Sequence, residues 1–372
     1  MNFLFACGGT AGHINPALAI TKELCRKVPD SKVLFVGAGN TMEKELVPKA
    51  GHELVNIRMS GLKRGFLPSD IIYNAKTVKN LALAGRKTAK IIEGFGPDAV
   101  IGTGGYICYP VLKKAAQMGI PAVVHESNAV PGLTTRLLST IVDKVLVSFP
   151  GLESSYRRPE RVLFTGTPVR AGFAAKPAGD GMDDPGRKPL LLSFWGSLGA
   201  SRMNENIVEL MKLNIERGGF SHIHATGRLC DAGDMTGRLK QAGINGELPP
   251  DIEIRGYIDD MQSIMADADL ILCRAGGSTV AELTAMGKPA VLVPSPYVSN
   301  NEQAKNAEQL EKAGGAVVLQ ERDCTGELLF ETVSEIFRDR GRLLGMSAAQ
   351  GAIGKPNAAE EIAELVLSLI ND

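Results

Sequence analysis

Short apolar runs alternate with longer amphipathic stretches along most of the chain. Short apolar runs between helical patterns are typical of buried strands in parallel βα units. Such runs stand at residues 2–6, 33–36, 99–101, 122–124, 144–147, 162–164, 190–194, 222–225, 270–273 and 290–293. The pattern predicts an α/β fold with two sets of parallel strands, the first set ending at residue 164.

A stretch rich in Gly, Pro, Ala and Asp, residues 171–189, separates the two sets and predicts an interdomain linker. At 372 residues the chain is too long for one compact core and suits two domains of ordinary size. We place the first domain at residues 1–168 and the second at residues 169–354. A last amphipathic helix, at about residues 358–370, could pack on either domain.

A glycine-rich turn, residues 8–12, follows the first predicted strand. After it come Asn15, a favourable N-cap, and Pro16, which suits the first helical position. Unpaired N–H groups at such a helix start attract anions, and His13 would stand at the mouth of the cleft. The spacing is not G-x-G-x-x-G and no acidic residue closes the second strand, which argues against a nicotinamide dinucleotide. A purely structural turn is the alternative.

The second set of strands opens in the same way, with residues 190–194 running into the glycine turn 196–200. Another glycine loop, 274–282, follows strand 270–273, and its N–H groups and hydroxyls could cradle a diphosphate. Thr279 and Glu282 also have the spacing of a capping box, so a helix cap and a ligand site fit this loop equally. Neutral polar residues at 294–303 suit sugar hydroxyls.

The two halves of the chain carry opposite charge. Residues 1–170 hold 22 Lys and Arg against 12 Asp and Glu, and the remainder holds 19 against 29. The excess of positive charge in the first half favours an anionic partner for it. The alternative is that the two halves present oppositely charged faces that attract each other. Six scattered cysteines without a C-x-x-C predict the reduced thiols of a cytosolic protein. With no signal peptide and no apolar run long enough to cross a bilayer, we expect a chain that is neither exported nor transmembrane.

Residues 62–90 concentrate basic and apolar residues. Asp70 is the one acidic residue there against seven cations: Lys63, Arg64, Lys76, Lys79, Arg86, Lys87 and Lys90. Interleaved leucine, isoleucine and phenylalanine predict a surface that dips into a membrane interface while its cations meet anionic lipid heads. An amphipathic helix with a solvated basic face is the alternative.

Three polar patterns have structural interpretations. Asp267 and Asp269 form a D-x-D pair of the kind that holds a divalent metal, yet they precede strand 270–273 and so belong at the amino edge of the sheet. His222 and His224 share one face of a strand but lack a third ligand nearby, which favours a structural role. The pair His125–Glu126 could exchange protons or could order the loop that carries Asn128.

Taken in order, the motifs of this chain resemble those of the MurG glycosyltransferases, and the resemblance covers nearly the whole chain. It rests on GGTAGH (8–13), GGY (104–106), HESNAVPG (125–132), GTPVR (166–170), GSLGA (196–200), GGSTVAE (276–282) and NEQ (301–303). The resemblance implies two facing Rossmann-like domains with parallel sheets, the GT-B glycosyltransferase architecture. The second domain would hold UDP-GlcNAc, the first would face the lipid acceptor and the membrane, and the last helix, about 355–372, would return to the first.

Carried over residue by residue, the resemblance implies a donor site, an acceptor site and a base. The residues implied to bind UDP-GlcNAc are Thr10, Ala11, Gly12, Asn128, Arg170, Ser197, Ile258, Gly277, Ser278, Thr279, Val280, Ala281, Glu282 and Gln303. Tyr106, Glu126 and Asn128 would contact the acceptor. His13 is the first candidate for the general base and Glu126 the second. No metal and no other cofactor is implied.

The implied reaction is the inverting transfer of GlcNAc from UDP-GlcNAc to undecaprenyl-pyrophosphoryl-MurNAc-pentapeptide, which converts lipid I to lipid II for peptidoglycan. The enzyme would act at the anionic cytoplasmic face of the bacterial cell membrane, bound peripherally, with no nucleic-acid partner. Alternatives are a UDP-GlcNAc 2-epimerase or a glycolipid glycosyltransferase on the same fold, or a non-catalytic nucleotide-sugar-binding subunit. Ala11, Ser127, Trp195 and Leu198 depart from the family pattern, which commonly has Gly, Gln, Gly and Gln; alanine is disfavoured wherever glycine takes a positive φ.

Overall fold

The computed structural model describes residues 1–39, 42–57, 59, 83–170, 172–173, 186–230 and 232–371. The chain divides into two compact units. Unit one comprises Met1–Ala171 and Lys355–Asp372, and unit two comprises Gly172–Gly354. Most of the predicted linker, and Lys63, Arg64, Lys76 and Lys79 of the basic segment, lie outside the described residues.

Each unit contains a parallel β-sheet, with seven strands in unit one and six in unit two among the described residues. The strands of unit one are β1 (Asn2–Cys7), β2 (Lys32–Gly37), β3 (Glu53–Asn56), β4 (Ala99–Gly104), β5 (Ala122–Glu126), β6 (Lys144–Val147) and β7 (Val162–Phe164). Those of unit two are β8 (Leu190–Phe194), β9 (Ser221–Ala225), β10 (Ile252–Arg255), β11 (Leu270–Cys273), β12 (Ala290–Leu292) and β13 (Ala316–Val318). The α/β class with parallel sheets is therefore confirmed.

Helices connect the strands in both units. They are α1 (Ala11–Lys27), α2 (Glu43–Lys49), α3 (83–95), α4 (Cys108–Gln117), α5 (Leu133–Leu138), α6 (Ser201–Arg217), α7 (Ala232–Gln241), α8 (Met261–Asp267), α9 (Gly277–Met286), α10 (Glu302–Lys312), α11 (Gly326–Arg338), α12 (Arg340–Ile353) and α13 (Ala358–Asn371). Single turns of 3-10 helix stand at Glu153–Ser155, Pro159–Arg161, Ser299–Asn301 and Glu321–Asp323. Within the described ranges, no helix is both long enough and apolar enough to cross a membrane.

The strand order places a ligand crevice in each sheet. It is β3-β2-β1-β4-β5-β6-β7 in unit one and β10-β9-β8-β11-β12-β13 in unit two. In unit one, successive strands are added on one side of β1 up to β3 and on its other side from β4 onward. In unit two the same change of direction occurs between β8 and β11. In parallel α/β sheets, ligands bind outside the carboxyl ends of the strands at such a change of direction. The loops after β1, β4, β8 and β11 are therefore the first places to look for a site.

Helix α13 completes the core of unit one, although it comes from the far end of the chain. The aromatic rings of Phe5 and Phe35 stack at 5.1 Å between centroids on the face that α1 covers. Ile362 and Val366 of α13 are buried in the same cluster, beside Ile14 of α1. Burial of these apolar side chains stabilises unit one and fixes the last helix to it.

The sequence missed strands β3, β10 and β13, and all three lie at the edges of their sheets. β3 and β10 are partly exposed and carry polar residues such as Glu53 and Arg255, so they lack the continuous apolar run of a central strand. β13 is apolar but has only three residues. All ten strands that the pattern did predict are present.

The cysteines are unpaired in the structure. Burial raises the pKa of the Cys7 and Cys273 thiols and raises that of Cys108 to about 12. These groups stay protonated at neutral pH and behave as small apolar side chains.

Candidate active site

Helix α1 begins at Ala11, directly after the glycine turn, and the predicted start at Pro16 was wrong. Gly9, at φ +99°, turns the chain, and the carbonyl of Thr10 then accepts the N–H of His13 at 3.0 Å. The helix can start this early because the N–H groups of a first turn need no partner within the helix. Pro16 lies further inside α1, where it has no N–H to donate to the carbonyl of Gly12. Ala11 is helical, so its methyl group causes no strain at that position.

The ring of His13 is held in one orientation by the backbone of its own loop. Its Nδ1 lies 2.8 Å from the carbonyl oxygen of Gly8. A carbonyl can only accept, so Nδ1 carries the hydrogen and donates it. In the neutral ring Nε2 is then the nitrogen with a free lone pair. The geometry thus prepares Nε2 to accept a proton.

Two glycines at the end of β4 allow the close packing of this loop. Gly104 and Gly105 have φ values of +124° and +90°. A Cβ atom on Gly104 would overlap the ring of His13, and one on Gly105 would overlap the carbonyl of Gly8. Glycine is therefore required at both positions, and Tyr106, 58% exposed, follows them at the same sheet edge.

Both carboxylate oxygens of Glu126 accept hydrogen bonds from residues that closely follow it in the chain. Oε1 accepts the backbone N–H of Asn128 at 3.2 Å and the side-chain amide of Asn128 at 3.4 Å. Oε2 accepts the N–H of Gly132 at 2.9 Å and the hydroxyl of Thr135 at 2.7 Å. A buried carboxylate with this set of donors orders the loop and orients Asn128. This geometry favours a positioning role for Glu126 over proton transfer.

His125 ties β5 to the segment that leads to Arg170. Its Nε2 donates to the carbonyl of Gly166 at 3.0 Å, and Ser127, a departure from the family pattern, lies 3.4 Å from its Nδ1. Burial lowers the pKa of His125 to about 4, so the ring is neutral and structural at physiological pH. Residues 165–168 are buried and Arg170 is exposed.

Unit two contains a cavity of about 500 Å³ at the carboxyl edge of its sheet. Ser197 and Gln303, both predicted to bind the donor, line it together. The cavity is also lined by Trp195, Leu198, Gly199, Ala200, Ser201, Arg202, Arg274, Ser295, Tyr297 and Glu321. Volumes of this order are typical of small-ligand sites. The sequence indicated Trp195 and Leu198 only as departures from a family pattern and gave Arg274 no role.

The loop after β11 presents an uncapped helix start. α9 begins at Gly277, and its N-cap, Gly276, has no side chain to accept the first N–H groups. Thr279 therefore lies inside the helix, and the capping box between Thr279 and Glu282 was wrong. The hydroxyl of Ser278 is buried, and no described residue forms a hydrogen bond with it. Free N–H groups and a free hydroxyl at a helix N-terminus suit an anionic ligand.

Gln303 stands in the first turn of α10 behind a strained turn. Its Oε1 accepts the N–H of Ser295 at 2.8 Å, which leaves its side-chain NH₂ group to donate elsewhere. Asn300 and Asn301 just before it have φ values of 58° and 51°. Non-glycine residues in this conformation cost energy and concentrate at functional sites.

Ile258 follows β10 and is 5% exposed, and neither it nor Glu282 borders the cavity of Ser197 and Gln303. Two residues after Ile258, the carboxylate of Asp260 accepts the N–H of Ser263 and caps α8. Glu282 is half-buried on α9, one turn after the helix start. Of the predicted donor residues, Ser197 and Gln303 therefore border the cavity, whereas Ile258 and Glu282 do not.

Both structural interpretations of the polar pairs hold. The hydroxyl of Ser193 lies 2.7 Å from Nε2 of His222 and 2.7 Å from Nδ1 of His224, so the two imidazoles share a buried serine. Asp269 accepts the N–H of Leu190 at 2.8 Å and pairs with Arg187 at 2.9 Å, at the amino edge of the sheet. Among the described residues, no three His, Cys, Asp or Glu side chains group as a metal site would require.

Comparison with known proteins identifies both halves of the chain. Residues 3–147 match the glycosyltransferase family 28 N-terminal domain, and residues 190–365 match the glycosyltransferase family 28 C-terminal domain. The UDP-N-acetylglucosamine–N-acetylmuramyl-(pentapeptide) pyrophosphoryl-undecaprenol N-acetylglucosamine transferase of Acetivibrio thermocellus is 40% identical over 100% of this chain and 99% of its own. The corresponding transferase 1 of Bacillus cereus is 38% identical over the full length of both chains.

Comparison with solved structures leads to the same family. MurG of Acinetobacter baumannii superimposes with a TM-score of 0.78 at 26% identity and covers 99% of each chain. UDP-GlcNAc 2-epimerase of Neisseria meningitidis, at 14% identity and a TM-score of 0.66 over 99% of this chain and 100% of its own, shares the fold alone. Identity near 40% over the full length separates this chain from the epimerases. The chain belongs to the MurG family of UDP-N-acetylglucosamine–N-acetylmuramyl-(pentapeptide) pyrophosphoryl-undecaprenol N-acetylglucosamine transferases.

Proposed function

We propose that this chain transfers GlcNAc, with inversion, from UDP-GlcNAc to the lipid-linked muramyl-pentapeptide and so converts lipid I to lipid II. Family membership supports the two substrates, because relatives at 38–40% identity over their full length are named for this transfer. The single observation that carries the mechanism is the ring of His13. Its Nδ1 donates to Gly8 at 2.8 Å, which leaves Nε2 to act as the base.

The acceptor hydroxyl must lose its proton as it attacks the anomeric carbon of UDP-GlcNAc. In this proposal Nε2 of His13 takes that proton while the bond between the anomeric carbon and the diphosphate oxygen breaks. UDP leaves with the electron pair, so negative charge grows on the diphosphate. The N–H groups at the uncapped start of α9 and the free hydroxyl of Ser278 support stabilisation of that charge without a metal.

Unit two holds most of the donor in this proposal. Gln303 donates its free NH₂ group to GlcNAc hydroxyls, and Glu282 accepts from the ribose. The backbone of Ile258 binds uracil. Ser197 and Arg170 meet the diphosphate, while residues 10–12 and Asn128 border the donor sugar.

The acceptor is proposed to lie along unit one. Tyr106 is exposed and follows Gly104, the glycine on which a Cβ atom would overlap the ring of His13, by two residues. Asn128 is oriented by the carboxylate of Glu126. Glu126 thereby acts through Asn128 as a positioning residue.

We also propose peripheral attachment of unit one to the anionic cytoplasmic surface of the membrane. The lipid-linked acceptor named for the relatives requires an approach to that surface. Helix α3 supports the attachment, because Arg86, Lys87 and Lys90 are exposed beside Leu83, which is 48% exposed. Cations next to exposed apolar side chains bind interfaces that contain anionic lipid.

UDP release tests the proposed transfer directly. With UDP-GlcNAc alone the protein should release little UDP, and a short-chain analogue of the lipid acceptor should raise the rate severalfold. Mass spectrometry should then find one added N-acetylhexosamine on the analogue. Release of UDP that is independent of the acceptor, with epimerised sugar as product, would instead identify a 2-epimerase.

A further inference from the structure

The proposed function gives no role to Trp195, a buried residue of the cavity in unit two. Trp195 directly follows β8, lines the cavity and is 4% exposed. Its indole N–H is buried and has no hydrogen-bond partner among the residues that the structure describes. Buried tryptophan N–H groups usually have a partner, because burial without one costs free energy. An acceptor on a ligand would supply the missing bond.

Arg274, the residue after β11, lies against the same indole. Its guanidinium carbon is 5.6 Å from the centroid of the Trp195 ring. Nη1 donates to the carbonyl of Val293 at 2.9 Å and to Oε2 of Glu321 at 2.7 Å. Both bonds use Nη1, and within the described part of the chain Nε and Nη2 of Arg274 make no hydrogen bond. The indole ring and the ion pair thus hold Arg274 in place and leave its Nε and Nη2 able to donate to a ligand.

The remaining walls of the cavity also favour an anion. Arg202 is a second cation there, and Glu321, the one carboxylate of the lining, is already paired with Arg274. α6 starts beside them with Ala200 as its N-cap, without a capping side chain or an acidic residue in its first turn. Its first N–H groups add to the positive potential. The cavity offers mainly donors and positive charge, which suits phosphate oxygens.

We propose that Trp195 and Arg274 form one binding element for the diphosphate of the nucleotide sugar. The indole N–H and the free N–H groups of Arg274 donate to phosphate oxygens, and the indole ring keeps the guanidinium in place. This inference rests on the proposed function and adds two residues to its donor site.

The test compares ligands with and without phosphate. UDP, UDP-GlcNAc and uridine are titrated by calorimetry into the wild-type protein and into Trp195→Phe, which keeps an aromatic ring and removes the N–H. The variant should bind UDP and UDP-GlcNAc about tenfold more weakly, the loss of one hydrogen bond to a charged group, and uridine equally well. Tyr156→Phe is the matched control, because it removes a buried hydroxyl of unit one that has no hydrogen-bond partner among the described residues, and it should bind all three ligands like wild type.

Two further measurements separate binding from folding. Trp195 is the only tryptophan of the chain, so wild-type emission should respond to UDP and stay unchanged with uridine. Arg274→Lys should also weaken UDP binding, and by a smaller factor in the Trp195→Phe background, because the two residues act together.

The inference is overturned if saturating UDP leaves the emission unchanged, or if Trp195→Phe, folded as judged by circular dichroism, binds UDP like wild type. If Trp195→Phe does not fold, the wild-type emission decides. Wild-type protein that binds UDP as described but transfers no GlcNAc would contradict the proposed function and leave this inference standing.

Discussion

At the scale of single residues, one hydrogen bond decides which nitrogen of His13 can take a proton. We expect His13→Ala to lower kcat by about a hundredfold or more, because a positioned general base contributes a factor of this size. The affinity for UDP-GlcNAc should stay close to wild type, since His13 belongs to unit one and most proposed donor contacts belong to unit two. Steady-state kinetics and calorimetry on the same preparations measure the two quantities.

A matched control comes from the same unit. His52→Gln removes a histidine that packs on Phe35, with 5.5 Å between ring centroids, and should keep its turnover. A His13→Ala protein with most of its turnover intact would assign His13 to structure and make Glu126 the next candidate for the base.

Variants of Glu282 and Gln303 should distinguish contacts to the UDP part of the donor from contacts to its GlcNAc part. Glu282→Ala should weaken UDP itself, whereas Gln303→Ala should weaken UDP-GlcNAc and leave UDP nearly unchanged. Because Gly276 is the N-cap of α9, Glu282→Ala should not cost the roughly 1 kcal/mol of a lost cap. Calorimetry in the presence of a chelator measures both ligands, and equal losses for both ligands in both variants would contradict these roles.

At the scale of elements, α13 is the clearest case of a helix fixed by burial. Ile362→Ala should lower the free energy of unfolding of unit one by about 2–4 kcal/mol, because the removed side chain is fully buried. Glu364→Ala, on the same helix, removes an exposed ion pair with Lys27 and should cost less than about 1 kcal/mol. Hydrogen exchange of the β1 amides measures both, and comparable losses would mean that charge, not packing, holds α13.

At the scale of the whole molecule, buried histidines link stability to pH. Burial lowers the pKa of His224 to about 3 and that of His125 to about 4, and it lowers the pKa of His222 well below its usual value. In the unfolded chain these groups titrate at about pH 6.5. Below that pH the unfolded state binds more protons, so stability present above about pH 6.5 is lost as the pH falls toward the folded pKa values.

Unit two should lose stability more steeply, since it contains two of the three fully buried histidines, whereas unit one contains His125 and the partly buried His52, whose pKa burial also lowers. Each contributes up to about 1.4 kcal/mol per pH unit between about pH 6 and 4. Denaturant unfolding followed by the emission of Trp195 reports on unit two at pH 7, 6 and 5. His222→Met should make the dependence shallower by about one such contribution. An unchanged slope would show that His222 is not a neutral, buried group.

Charge on unit one should govern attachment to the membrane. Arg86→Glu together with Lys87→Glu should weaken binding to anionic vesicles by about tenfold or more, because each cation near the surface contributes about 1 kcal/mol. Reversal of Lys212 and Lys240, two exposed cations of unit two, is the control and should change little. Sedimentation at low salt measures binding, and turnover on a water-soluble acceptor should survive. Equal binding by wild type and the Arg86/Lys87 variant would exclude α3 as the attachment surface.

The sequence by itself determined the central strands and the order of the ligand loops. A strand covered on both faces must be apolar throughout, so β1, β4, β8 and β11 are visible as continuous runs, with glycine turns where their loops begin. Motifs ordered along the chain were enough to identify the family. The half-exposed edges β3 and β10 carry no such run, and local pattern could not find them.

Only the tertiary structure decided which side chains meet. Ser193 joins His222 and His224 from another strand, and the carbonyl of Gly166 receives His125 across 41 residues of sequence. The pairing of Trp195 with Arg274 likewise depends on β8 lying beside β11. Sequence spacing records neighbours along one element, whereas hydrogen bonds and ring contacts between elements depend on sheet order and register. The chemistry of this site therefore follows from packing that no local pattern contains.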